Sequence, residues 1–139
     1  MISLRQGKIM RVAQVEWEFV QDFVEPVVWV ASREFDLLWQ KSDDYIGVAG
    51  AGSPYGDYRY KNVGIFIRKH RRLWYPVVSL EDGVLAFTDG RHRTAWLRDH
   101  GAEAMAVACS EEDALVLEQL CGTDRRQTFF RLPWFAACA

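Results

Sequence analysis

Cysteine is scarce in this chain, and where it stands argues against metal binding. Cys109, Cys121 and Cys138 are an odd number and share no ligand spacing with the three histidines, which leaves no structural zinc motif to read. A reduced interior is a simpler reading than a disulfide framework, and it places the protein in the cytoplasm. Long apolar stretches are also missing. Every such run is short and interrupted, so no segment is expected to cross a membrane, and the first residues lack a charged-then-apolar leader pattern. Net charge is nearly absent, at −2, which argues against a general binder of polyanions. Neither internal repeats nor a linker-like stretch interrupts the 139 residues. The expectation is one domain over 1–139, large enough to bury a core without staples.

Aromatic residues, at 14%, are plentiful for this length. Most belong in a core, but some of Trp29, Trp39, Trp74, Trp134 and Phe135 are candidates to line a ligand or partner surface. Charge is unevenly placed. Arg68, Lys69, His70, Arg71 and Arg72 precede Arg91, His92 and Arg93, so a near-neutral average can hide one strongly positive site.

Periodicity and punctuation predict helices over 33–41, 58–71, 91–100 and 111–121. Ser32 is the expected cap of the first helix, and Ser110 with Asp113 resembles a capping box for the last. Strands are expected over 8–15, 26–31, 73–79, 84–88 and 103–109. Of these, 73–79 and 84–88 form a hairpin around Glu81-Asp82-Gly83. Four glycines and one proline between Gly47 and Asp57 read as a long loop, a plain surface excursion or a flap over a site. The segment 123–139, with Arg125-Arg126 and the rings of Phe129, Phe130, Trp134 and Phe135, is either a strand packed on the domain or a docking tail for a protein partner. The fold class is α/β (α+β), a small mixed sheet flanked by helices.

The stretch Thr88-Asp89-Gly90-Arg91-His92-Arg93 carries the chemistry. A strand passes through Asp89-Gly90 into a helix whose first turn offers unbonded N–H groups and the positive end of the dipole. Three basic residues at such an end oppose that dipole, unless an anion or nearby acids compensate. Phosphate binding by Gly90, Arg91, His92, Arg93 and Thr94 is one reading. The other pairs Arg91 and Arg93 with Asp89, Asp99 or Glu103 and makes His92 structural.

The segment Leu85–Val107, with Phe87-Thr88-Asp89-Gly90-Arg91-His92-Arg93-Thr94-Ala95-Trp96, resembles the phosphate-binding motif of the ParB/sulfiredoxin superfamily. Tyr75-Pro76-Val77-Val78 looks like that family's first box. The resemblance implies a nucleotide ligand, ATP or CTP, with Mg²⁺ where a triphosphate is held. It implies a hydrolase, kinase or nuclease activity if the chain is an enzyme. Glu34 and Asp89 are the candidate catalytic acids, and Asp36, Asp43, Asp44 and Asp57 are further carboxylates for a cation. Arg91 stands where sulfiredoxins carry their cysteine nucleophile, which excludes sulfinic acid reduction by that route. The chain ends at Ala139, before the DNA-reading domain of chromosome-partition members could be expected. In plan it is most similar to small single-domain members, plasmid conjugation-suppressor and fertility-inhibition proteins. A non-enzymatic interaction or inhibitor module that keeps the fold is the alternative, and nucleic acid is a third, weaker partner class suggested by Arg68–Arg72 and Arg125-Arg126.

Overall fold

The computed structural model describes residues 2–5, 8–20, 24–54 and 58–134. These residues fold into a mixed α and β domain, and among them the strands form two four-stranded sheets rather than one. In the first, the long strand β2 (Lys8–Glu18) pairs antiparallel with β1 (Ile2–Arg5) and with β8 (Thr128–Trp134). The last residues of β2 run parallel to β4 (Arg72–Trp74). The second sheet has the order β3 (Val27–Ala31), β7 (Ala104–Ala108), β5 (Val77–Glu81), β6 (Val84–Asp89). Its β7 and β5 run parallel, and its β3–β7 and β5–β6 pairs antiparallel.

The expected strand over 73–79 is therefore two strands in two sheets. Tyr75-Pro76 is the hand-over between them. Tyr75 still donates its N–H to Glu18 of β2, at 3.0 Å, while the Pro76 carbonyl accepts from Ala108 of β7, at 2.8 Å. Proline has no N–H to continue a ladder, so the first pairing stops there and the second begins with its carbonyl. The hairpin β5–β6 forms as expected, with Glu81 opposite Val84. All five residues of β7 are buried. Its alanine alternation thus reflects close packing on both faces, not an inside and an outside.

Among the described residues four α-helices appear, α1 (Ser32–Trp39), α2 (Tyr58–His70), α3 (Arg91–Asp99) and α4 (Glu111–Cys121). Ser110 caps α4, its hydroxyl accepting from the Asp113 N–H. Ser32 does not cap α1. The chain passes straight from β3 into the helix, Ser32 becomes its first residue, and its buried hydroxyl finds no partner among the described residues. Phe35 and Trp39 of α1 pack with Val28, Val30, Ile67, Leu85, Leu117 and Phe130 in the core. Of the three leucines on α4, Leu117 is buried whereas Leu115 and Leu120 face outward. β8 lies along β2 with Phe130 and Leu132 inward. Its Thr128 hydroxyl donates to the Ala104 carbonyl and accepts from the Trp17 indole. Cys138 and Phe135 lie outside the described residues, as does the side chain of Trp134. Among the described residues no helix is long and apolar enough to cross a membrane.

Candidate functional site

The junction of β6 and α3 is shaped by a backbone requirement. Gly90 has φ +90°, a left-handed angle that L side chains rarely tolerate. A Cβ there would lie 2.8 Å from both Cα and Cβ of Pro76. The glycine is thus demanded by Pro76 packing under the turn. Beside this junction a cavity of about 240 Å³ opens between Arg59 and Val63 of α2 and the stretch from Phe87 to Arg93.

Each basic residue of the junction has its own tether. Arg93 donates from Nη1 to the Trp74 carbonyl at 2.8 Å and pairs through Nη2 with Asp89 at 2.7 Å. This is the pairing with Asp89 that residue chemistry had offered against phosphate binding. Arg91 reaches the Asp44 carbonyl at 3.3 Å. His92 is buried, with Nε2 2.9 Å from the Ser53 hydroxyl. Burial pushes its pKa below the ordinary value, helped by the charges of Arg91 and Arg59, so the imidazole is neutral near pH 7. Thr94 is buried and spends its hydroxyl on the Gly90 carbonyl, 3.0 Å away, and it does not line the cavity.

The two candidate catalytic acids do not line one cavity. Asp89 faces the basic groove, whereas Glu34 borders a separate cavity with Leu37, Lys41 and Leu120 between α1 and α4. Two of the carboxylates offered for a cation, Asp36 and Asp44, have other work. Asp36 accepts from Arg98, Tyr45 and Gln40. Asp44 accepts from Trp39, Ser42 and the Phe87 N–H. Asp57 lies outside the described residues. Among the described residues no group of three or more metal-type side chains converges.

Nor do the two basic clusters merge into one site. Arg59 and Arg68 are separated by nine residues of α2, about 13.5 Å along the axis. Arg72 pairs instead with Glu18 at 2.6 Å, at the other end of the helix. Arg59 is the groove residue that sequence reasoning missed. A signal existed, because the first turn of α2 has no acidic residue, the same opposition to the dipole that drew attention to α3.

The loop over 47–54 is tied to α3 at two points. Ala49 donates its N–H to Asp99 at 2.9 Å, and Ser53 meets His92. Neither described cysteine offers a thiolate. Burial pushes Cys109 up to about 11 and Cys121 up to about 12, so both are inert thiols at neutral pH. Of the rings proposed for a ligand surface, Trp39 is core, whereas Trp74 is half exposed and borders a second cavity beside the basic groove.

Comparison with known proteins bears on this region directly. Residues 54–122 match the family model of the plasmid fertility inhibition factor. That span runs from the start of α2 to the end of α4 and contains the whole groove. The fold is also similar to the crystal structure of an oncogenic suppression activity protein, described as a plasmid fertility inhibition factor and determined as a gold(I) cyanide derivative. The TM-score is 0.55 at 16% identity, over 92% of this chain and 77% of that one. At that identity the likeness is one of fold. No curated protein matches the chain.

Proposed function

We propose that this chain is a fertility-inhibition module that restrains conjugative plasmid transfer by binding a partner rather than by catalysis. The observation that carries the reading is the separation of Glu34 from Asp89, which border different cavities, with Asp89 already paired to Arg93. A hydrolase or phosphoryl transferase needs an acid or base within reach of the reacting atoms, and of the two candidate acids Asp89 alone lines the groove, where it is held by Arg93. The family match over 54–122 supports the biological setting, and action in the cytoplasm belongs to the same reading. The test is expression in donor cells carrying a conjugative plasmid, alongside phosphate release by the purified chain with ATP or CTP and Mg²⁺. Transfer is expected to fall, and to fall equally with Glu34→Gln, while no phosphate appears. Phosphate release that Glu34→Gln abolishes would overturn the reading.

A second reading keeps the ParB/sulfiredoxin resemblance, with ATP or CTP as ligand. The specific observation behind it is that Arg59, Arg91, His92 and Arg93 surround the first turn of α3. A phosphate group suits a groove of this size and charge. Arg91 and Arg93 would hold its oxygens, Arg93 by exchanging Asp89 for the ligand, and among the described residues Asp89 is the groove's carboxylate for Mg²⁺. Calorimetric titration with ATP, CTP and inorganic phosphate tests this. Loss of Arg93 removes charge-assisted bonds and should weaken binding at least about tenfold.

A further inference from the structure

The α2 side of the groove holds a feature that neither reading uses. Phe66 and Trp74 are 48% and 50% exposed, although their chain neighbours Ile67 and Leu73 are buried in the core. The two rings border a cavity of about 380 Å³ that also takes in Arg59, Asp89 and Arg93 of the basic groove. The two depressions are therefore one cleft, apolar at one end and cationic at the other.

The charges along it are sorted. Both described acids of the cleft already have a guanidinium partner, Glu18 at the apolar end with Arg72 at 2.6 Å, and Asp89, which lines both depressions, with Arg93 at 2.7 Å. At the cationic end the Arg91 contact is to a neutral carbonyl, which leaves its charge in place. His92, being neutral there, adds no charge of its own. Half-exposed aromatic rings next to arginine are what dense, energetically dominant contacts between proteins use.

From this we infer that the cleft is a docking groove for an extended segment of a partner protein, one that carries an aromatic or branched aliphatic side chain close to a carboxylate. The apolar side chain covers Trp74 and Phe66, and the carboxylate lies between Arg59 and Arg91. A nucleic-acid strand fits less well, because at the apolar end the guanidinium groups of Arg72 and Arg93 are already spent on Glu18 and Asp89, which leaves them poor partners for repeated phosphates. A lone phosphate leaves both rings uncovered. The inference rests on the interaction-module reading and names the partner chemistry it requires.

The probe is a random peptide library displayed on phage and selected against the intact chain, followed by calorimetry with the synthetic consensus peptide. The expected consensus pairs an aromatic or branched aliphatic residue with Asp or Glu. Trp74→Ser and Phe66→Ser, on different elements, should each weaken the peptide at least about tenfold. Arg91→Glu should abolish binding, and a peptide with lysine in place of the acid should restore it. A basic consensus, no consensus, or unchanged binding in both ring variants overturns the inference. So does displacement of the peptide by a single-stranded oligonucleotide that depends on the same three side chains. Plasmid transfer separates the two levels. If the intact chain inhibits transfer and Trp74→Ser with Arg91→Glu inhibits equally, the groove is wrong and the module reading stands. If the intact chain leaves transfer unchanged, the module reading is wrong whatever the peptide does.

Discussion

Residue by residue, the basic junction shows how far chemistry can be read before geometry is known. The turn was legible because Asp89, Gly90 and the helix start are contiguous, and the pair Asp89–Arg93 is an (i, i+4) neighbour. The neutrality of His92 was not, because its burial and the charge of Arg59 are tertiary, as is its contact with Ser53, thirty-nine positions away. That neutrality has a consequence for pH. His100 is pushed down in the same way, chiefly by burial, while its Nδ1 donates to the Trp96 carbonyl at 2.7 Å and its ring stacks on Trp96 at 3.7 Å. Each folded-state pKa lies below the ordinary value of 6.5. The unfolded chain therefore binds more protons, and stability is fully present above pH 6.5 and is lost as pH falls through the folded values. Denaturant titrations at about pH 7.5 and about pH 5 should show a smaller loss for His92→Gln and for His100→Gln than for the parent. Parallel profiles would refute the assignment.

Among the elements, local signals worked wherever pairing was local. The four helices and the β5–β6 hairpin follow from periodicity, caps and a turn. The division of 73–79 between two sheets could not be read, since Pro76 marks a weak point in the run but the strands that pair on either side of it depend on where β2 and β7 lie. Arg59 entered the groove for the same kind of reason, because the approach of α2 to α3 is a tertiary contact, whereas Trp74 was already a candidate surface ring in the sequence. That approach depends on Gly64, where a Cβ would stand 2.7 Å from Nε1 of the buried Trp96. Alanine at an ordinary helical position gains about 1 kcal/mol over glycine, but overpacking a rigid buried indole costs about 1–3 kcal/mol. Because the indole is held between Gly64 and His100, the steric term wins. Gly64→Ala should lower the melting temperature, and it should weaken peptide capture by the cleft by shifting Arg59 and Phe66 away from α3. A raised melting temperature would show that the helices separate without cost.

Across the whole molecule, the groove stands on a single guanidinium. Arg98 of α3 pairs with Asp36 of α1 at 3.0 Å and with its neighbour Asp99 at 2.9 Å, and it donates to the Ile46 carbonyl at 2.6 Å and the Tyr45 hydroxyl at 3.3 Å. Its side chain is 13% exposed, against 18% for Asp36 and 10% for Asp99. Asp99 in turn accepts from the Tyr60 hydroxyl of α2 and from the Ala49 N–H. One cation thus joins α1, the loop after it, α2 and α3, the pieces that carry Ser53, Arg59 and the basic junction. Replacing it with Met keeps the aliphatic stem and most of the volume but strands two largely buried carboxylates. Breaking one side of such a network costs about 3 kcal/mol, more than a surface ion pair would. The loss should be local before it is global, because Ile46 and Ala49 are held to α3 mainly through Arg98 and Asp99, whereas the two sheets have their own ladders. Hydrogen exchange on Arg98→Met should therefore accelerate first over 45–53 and leave β3, β5 and β7 protected. Loosening that loop also removes Ser53 from His92, so the histidine should become easier to protonate and its titration, followed by NMR, should move toward the ordinary value. Uniform acceleration across both sheets would instead make Arg98 a support of the core and not of the groove.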